Sequence, residues 1–224
     1  MKKCSMMMMD IQINPKFEKD YCPNLLSWKE LSDIINNLPL MTLDRFIPLN
    51  VPEEYIRTLS WSLNSWTTNK KSIPSHILKN IIEKYVCYIV EMSRSTKKIN
   101  EFAKNIEETY DMPTDAHIYM CKNFEIEHPF GIHFDYSDNI IVQCEGETNF
   151  KVWDIIKDED QPRTNMSITD IPLLDVDMKS GDVIWIPKYY PHLATSHTPR
   201  MSVSFPFKSR LKDEPIQNRE WIQL

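Results

Sequence analysis

Apolar positions along this chain change period at Pro113. Upstream they recur every three to four residues, the helical spacing; downstream they alternate, the strand spacing. Ser27–Leu38 reads as a helix with Trp28, Leu31, Ile34, Ile35 and Leu38 on one face. Ser27 and Glu30 form a capping-box pair at its start, and Pro39 follows its end. A short second helix is expected from Pro52, with Glu53 and Glu54 in its first turn. The longest predicted helix runs from Pro74 to Ser93 through Ile77, Ile81, Ile82, Tyr85, Ile89 and Met92. Another covers Thr96–Tyr110, striped by Ile99, Phe102, Ala103 and Ile106. Stripes of this kind are core faces before they are anything functional.

Eight short β-rich runs follow: His117–Lys122, Gly131–Asp135, Asn139–Cys144, Phe150–Ile155, Leu173–Met178, Asp182–Ile186, His192–Ser196 and Met201–Phe207. Short strands divided by turn signals predict a sandwich or a small barrel. The class is therefore α+β. Residues 1–20, with four consecutive methionines, are expected to be flexible, and 21–111 to be a helical region packing on the barrel. Residues 112–210 hold the β domain, and 211–224 form a tail that Trp221 could dock.

Composition sharpens this outline at one point. The chain of 224 residues has only three glycines, Gly131, Gly146 and Gly181, where average usage is about 7%. All three lie in the β half, so each is expected to mark a backbone position that other residues fit badly. The net charge of −6 makes the whole chain no electrostatic magnet for nucleic acid. Five scattered cysteines with no C-x-x-C pair argue against a disulfide framework and a structural zinc site. They point to a reducing, cytoplasmic-type compartment. The apolar stretch near the start is too short for a signal peptide, and no run approaches a membrane span.

Of six histidines, one has an acid two residues on: His133-Phe134-Asp135. On a strand, residues i and i+2 face the same way, so imidazole and carboxylate would lie side by side. One more histidine from a neighbouring strand would complete a 2-His-1-carboxylate triad, which leaves open positions on one side of a ferrous ion. Downstream, Gly181-Asp182 turns into an apolar strand that ends at Pro187; after Tyr190-Pro191, His192 opens the next strand. That hairpin would return His192 to the side of His133.

The run His133, Asp135, Asn139, Gln143 and Gly146 is followed by Lys151 and Trp153, the Gly181-Asp182…Ile186-Pro187…Pro191-His192 element and the Ser202–Phe205 strand. Together these resemble the Jumonji-C, cupin-like branch of the Fe(II)- and 2-oxoglutarate-dependent oxygenases, over roughly residues 113–208. The resemblance implies a double-stranded β-helix (jelly-roll or cupin) barrel in the C-terminal half. It implies that His133, Asp135 and His192 bind Fe(II) and form the catalytic centre. It also implies oxidation of 2-oxoglutarate by O2 to succinate and CO2, coupled to hydroxylation of a substrate C–H bond. The similarity is greatest to protein hydroxylases, so a protein or other macromolecule is the expected substrate. The helical half would serve dimerisation, giving a homodimer, or part of a substrate groove.

One position departs from the pattern. The family usually places a Lys or Arg two residues after the hairpin glycine to hold the distal carboxylate of 2-oxoglutarate; here that residue is Thr148. Two replacements are available. Lys151 precedes Trp153 as the family lysine precedes its aromatic, given a hairpin three residues longer, and stands slightly ahead. Arg200 and Ser202 form an R-x-S pair on the last strand, as in other branches of the superfamily, and a guanidinium can hold a carboxylate with two parallel hydrogen bonds. Asn139 matches a family asparagine that points into the co-substrate pocket. Tyr119 and Lys122 could line it. His128 and His197 are expected to be non-ligands, and His76 and His117 structural.

Two other classes of function compete. A non-catalytic cupin-like binding module that retains a metal site is favoured by the absent base at position 148. A cupin dioxygenase without 2-oxoglutarate ranks last, because its usual three histidines and a glutamate are not supplied at this spacing.

Overall fold

Strict alternation along Arg200–Phe207 organises the fold. Met201, Val203, Phe205 and Phe207 point to one side and enter the larger apolar core, while Arg200, Ser202 and Ser204 point to the other. Asp138–Glu145, beside it, divides the same way: Ile140, Val142 and Cys144 join the core, Asn139 and Ile141 face the opposite side. Two adjacent central strands thus carry a greasy face and a polar face, and the site is built on the polar one.

The computed structural model describes residues 14–37, 45–49, 51, 75–123, 130–156 and 163–207. The elements are β1 (Lys16–Glu18), α1 (Trp28–Asn37), β2 (Phe46–Pro48), α2 (Ser75–Lys84), β3 (Cys87–Ile89) and α3 (Lys97–Tyr110). They continue as β4 (His117–Cys121), β5 (Asp138–Glu145), β6 (Thr148–Val152), β7 (Leu174–Met178), β8 (Val183–Ile186), β9 (His192–Thr195) and β10 (Arg200–Phe207). A seven-stranded antiparallel sheet has the order β1-β8-β5-β10-β4-β3-β2, and a three-stranded sheet the order β7-β6-β9. The apolar faces of α1, α2 and α3 pack on one side of the large sheet, with Phe102 of α3 against Phe205 of β10 at 4.7 Å between ring centroids. A second core of Ile141, Phe150, Val152, Ile184 and Ala194 joins residues of the two sheets. Two antiparallel sheets with a shared interior fit a jelly-roll.

Local chemistry explains where the helices begin. At α1, Ser27 Oγ accepts from the Glu30 amide at 3.2 Å, and the Glu30 carboxylate accepts from the Ser27 amide at 2.8 Å, the reciprocal capping box expected there. At α3, Thr96 Oγ1 accepts from the Ile99 amide, and Asp111 closes the helix in a left-handed conformation.

Three expectations need correction. The helix predicted over Pro74–Ser93 ends at Lys84, and Cys87–Ile89 is a strand paired with β4 and β2. Val86-Cys87-Tyr88-Ile89-Val90 is rich in β-branched and aromatic residues, and pairing on both edges outweighs the helical spacing. The first half is therefore not purely helical: it gives β1, β2 and β3 to the large sheet. Lys16–Glu18, inside the stretch expected to be flexible, pairs with β8. The run Gly131–Asp135 is not a strand but carries an isolated bridge between His133 and His192. The helix expected from Pro52, the four-methionine run and the Trp221 tail lie outside the described residues.

All three glycines hold positive φ: +54° at Gly131, +69° at Gly146 and +98° at Gly181. At Gly146 a side chain is excluded twice over, because an added Cβ would lie 2.0 Å from the Pro199 carbonyl oxygen. This close crossing brings the β5–β6 turn against the chain that leads into Arg200.

Candidate active site

The metal-ligand candidates are held by backbone before side chains enter. The His133 amide donates to the His192 carbonyl at 3.0 Å, and the His192 amide donates back to His133 at 2.7 Å. The two imidazoles lie 4.3 Å apart between centroids. The Tyr189 amide donates to the Asp135 carbonyl at 2.8 Å, so the turn before His192 straps the third member in place. One ligand atom from each of His133, Asp135 and His192 lies within 4.8 Å of the others. His192 Nε2 and Asp135 Oδ2 are 3.8 Å apart.

This donor set fits a divalent metal. His133 Nδ1 is 3.1 Å from the Gly131 carbonyl and His192 Nδ1 is 3.0 Å from the Tyr190 carbonyl. A carbonyl can only accept, so each Nδ1 carries the proton and each Nε2 keeps its lone pair for an ion. Burial, then the neighbouring His192, lowers the His133 pKa to about 4, leaving it neutral near pH 7. Two imidazoles that turn Nε2 to the cluster and one carboxylate suit ferrous iron.

Asn139 orients the carboxylate. Its Nδ2 donates to Asp135 Oδ2 at 2.9 Å, while its Oδ1 accepts from Ser204 Oγ at 3.1 Å. Both Asn139 and Ser204 are buried. Asn139→Ala is expected to weaken Mn(II) binding about 10–100-fold, the usual cost of losing such an outer partner. Titration calorimetry would check it; unchanged affinity would leave Asn139 without a positioning role.

The cluster opens onto a cavity of about 280 Å³. From β10 come Arg200, Ser202 and Ser204; Tyr119 on β4 and Tyr88 on β3 stack at 5.1 Å and also line it. The middle is apolar, with Ile141, Phe150 and Ala194. Arg200 is 6% exposed, and burial lowers its pKa. It has no carboxylate partner among the described residues. Burial above all, with Asp135 and Tyr88 adding, raises the Tyr119 pKa and keeps the phenol protonated.

Lys151 is not brought to the cavity. Along β6 the inward positions are Thr148, Phe150 and Val152, so Lys151 points outward, where Nζ lies 3.5 Å from Asp175. The preference for Lys151 over Arg200 is corrected by this alternation. Lys122 is also elsewhere, paired with Glu83 and over the Trp28 ring. His117 pairs with Asp115 at 3.3 Å, away from the cluster. His128 lies outside the described residues, and His197 is not part of the cluster.

Sequence reasoning missed Arg163. Residues 163–166 lie alongside the ligand segment, the Asn165 amide donating to Phe130 and the Met166 amide to Ile132. Arg163 Nε donates to the Phe134 carbonyl at 3.2 Å, and NH2 is 3.4 Å from Asp135 Oδ1. Its stretch has no periodicity, so no pattern marked it. Tyr88 was hidden by the helical reading of its strand.

Known proteins share this fold. The model of the family described as the JmjC domain matches residues 89–214, more than half of the 224-residue chain. No curated protein matches significantly. A solved structure of Escherichia coli YcfD superposes with a TM-score of 0.60 at 15% identity, covering 88% of this chain and 50% of that one. YcfD, described as a ribosomal oxygenase from Escherichia coli, is similar in complex with cobalt and 2-oxoglutarate (TM-score 0.54, 14% identity, 88% and 48% covered). With cobalt and succinic acid the values are 0.57, 15%, 88% and 48%. These likenesses are of fold, and the chain spans about half the length of the structures it matches.

Proposed function

We propose, from the premise that this chain belongs to the JmjC domain family, that it is an Fe(II)- and 2-oxoglutarate-dependent oxygenase. Its reaction would hydroxylate a protein or other macromolecule. The observation that carries the reading is the pairing of the His133–Asp135–His192 cluster with Arg200 in one cavity.

His133, Asp135 and His192 would hold the iron. When bound, iron supplies the redox chemistry that couples oxidation of 2-oxoglutarate to succinate and CO2 with oxygen insertion into a C–H bond. The rest is done by the chain. Asn139 keeps the Asp135 carboxylate aimed. Arg200, with Ser202 on the same face of β10, would receive the distal carboxylate. The protonated Tyr119 phenol can donate a hydrogen bond beside it. Ile141, Phe150 and Ala194 exclude water from the span between the two ends. A non-catalytic module drew its support from Thr148; Arg200 supplies the cation that Thr148 does not.

The description of YcfD as a ribosomal oxygenase supports a macromolecular substrate here. We also place the protein in a reducing compartment, in keeping with Cys22, Cys87, Cys121 and Cys144, which are buried and in no disulfide. The test is incubation of anaerobically purified full chain with Fe(II), 2-oxoglutarate and O2, following succinate by NMR. Slow iron-dependent succinate formation is expected without any prime substrate. No turnover, together with no metal-dependent binding of 2-oxoglutarate, overturns the proposal.

A further inference from the structure

The two oxygens of Asp135 have different surroundings. Oδ2 lies 3.8 Å from His192 Nε2 and accepts from Asn139 Nδ2 at 2.9 Å. Oδ1 lies 3.4 Å from a terminal nitrogen of the Arg163 guanidinium. A carboxylate oxygen has two lone pairs, so Oδ2 keeps one for an ion beside the bond from Asn139.

Arg163 is braced in this place from several directions. Its segment runs along the ligand segment: the Asn165 amide donates to Phe130 at 3.0 Å, the Met166 amide to Ile132 at 2.9 Å, and the Phe134 amide to the Arg163 carbonyl at 3.4 Å. The two segments cross closely. Gly131 and Asn165 both take left-handed backbone, at φ +54° and +55°, and an added Cβ at Gly131 would lie 2.7 Å from Asn165 Oδ1. The guanidinium itself is fixed twice more. Nε donates to the Phe134 carbonyl at 3.2 Å, and the central carbon lies 4.7 Å from the centre of the Tyr136 ring. An ordinary surface ion pair has no such bracing; here the chain commits a close backbone crossing to set one cation against one carboxylate oxygen.

We propose that Arg163 is a positioning residue that keeps Asp135 a one-oxygen ligand of the metal, leaving room for both the 2-oxo acid and O2; the need for that room rests on the oxygenase reading above. Coordination arithmetic gives the reason. On a six-coordinate ion, His133, His192 and one oxygen of Asp135 occupy three positions and leave three. A 2-oxo acid that chelates through its carboxylate and oxo group takes two, and one stays open for O2. A carboxylate binds a divalent ion through one oxygen or through both. Both oxygens of Asp135 would fill a fourth position and close that opening. Arg163 opposes this mode, because Oδ1 would have to give up a charge-assisted contact and the guanidinium repels a dication approaching from its side. As a contribution to folding, this half-exposed pair is worth little. Its weight lies in choosing between two modes of one ligand. Asn139 cannot make that choice, since it holds Oδ2, the oxygen 3.8 Å from His192 Nε2.

The test counts water on Mn(II) bound to the full chain, by deuterium modulation of the electron spin echo in heavy water. With metal alone, the parent is expected to hold about three inner-sphere waters and Arg163→Ala about two. With 2-oxoglutarate added, the parent should keep about one and Arg163→Ala none. Arg163→Lys, which retains the charge, is expected to match the parent. Both variants should fold, because the Arg163 side chain is half exposed and belongs to neither apolar core. A merely structural role would lower stability without removing a water. The parent's full water count in Arg163→Ala overturns the proposal, as does an Arg163→Lys count that matches Arg163→Ala. A parent that holds one water more than Arg163→Ala, yet loses none to 2-oxoglutarate, keeps the role of Arg163 and refutes the oxygenase reading instead. Failure of the parent to bind Mn(II) overturns both.

Discussion

Asp135→Ala should abolish iron-dependent succinate formation and leave a folded protein. The carboxylate is the one anionic donor of the three-residue cluster, so its loss leaves two imidazoles to hold a dication. Losing an outer partner of a metal site costs about 10–100-fold in affinity, and losing a ligand itself should exceed about 100-fold. The fold should survive because Asp135 belongs to neither apolar core, and its side chain is 31% exposed. The structural cost is local. Asn139 Nδ2 loses its acceptor, and an unmet buried donor costs about 1–3 kcal/mol. Arg163 loses only a half-exposed ion pair, which is worth little. The measurement is paired. Mn(II) titration followed by EPR should show binding in the parent and none in the variant, and circular dichroism should show the same sheet content in both. Chelator should lower the melting temperature of the metal-loaded parent and not that of Asp135→Ala. His197→Ala should behave as the parent, since His197 lies outside the cluster. Tight metal binding in Asp135→Ala would remove this residue from the ligand set.

Local signals in the sequence carried far where one turn or one strand decides the outcome. The Ser27–Glu30 box placed α1, Thr96 placed the start of α3, and the short β-rich run Met201–Phe207 lies within β10. The three ligand residues were legible for the same reason: His133 and Asp135 share a local spacing, and the Gly181 hairpin returns His192. Elements decided by distant partners were not legible. Cys87–Ile89 has residues at helical spacing, and only pairing on both edges makes it a strand. Lys151 against Arg200 turned on which way β6 faces, a parity that moves with one residue of turn length. Arg163 reaches Asp135 from 28 residues away by backbone bonds to the ligand segment, a contact that no local pattern encodes.

Arg200 gives the other large effect, and three substitutions separate it from its rivals. Arg200→Ala should raise the Kd for 2-oxoglutarate roughly 10²- to 4 × 10³-fold. Truncating one partner of a buried, hydrogen-bonded charge pair costs about 3–5 kcal/mol, and 1.4 kcal/mol is tenfold. Lys151→Ala should change nothing, because Lys151 faces Asp175 on the outside. Thr148→Lys should restore part of the affinity in the Arg200→Ala background, since Thr148 points inward on β6, on the same face as the cavity-lining Phe150. Full restoration is not expected: an ammonium is a point charge and lacks the planar fork of a guanidinium. Stability supplies an independent readout with the opposite sign. Without co-substrate, the fold holds a buried guanidinium that burial disfavours. Arg200→Met removes that cost at similar volume, so the ligand-free variant should melt at or above the parent. It should then show none of the stabilisation that 2-oxoglutarate gives the parent, about 2.7 kcal/mol at 100 times Kd. A variant less stable than the parent when ligand-free, yet stabilised as much by 2-oxoglutarate, would make Arg200 a structural cation and return the question of the carboxylate anchor to the other polar residues of the cavity.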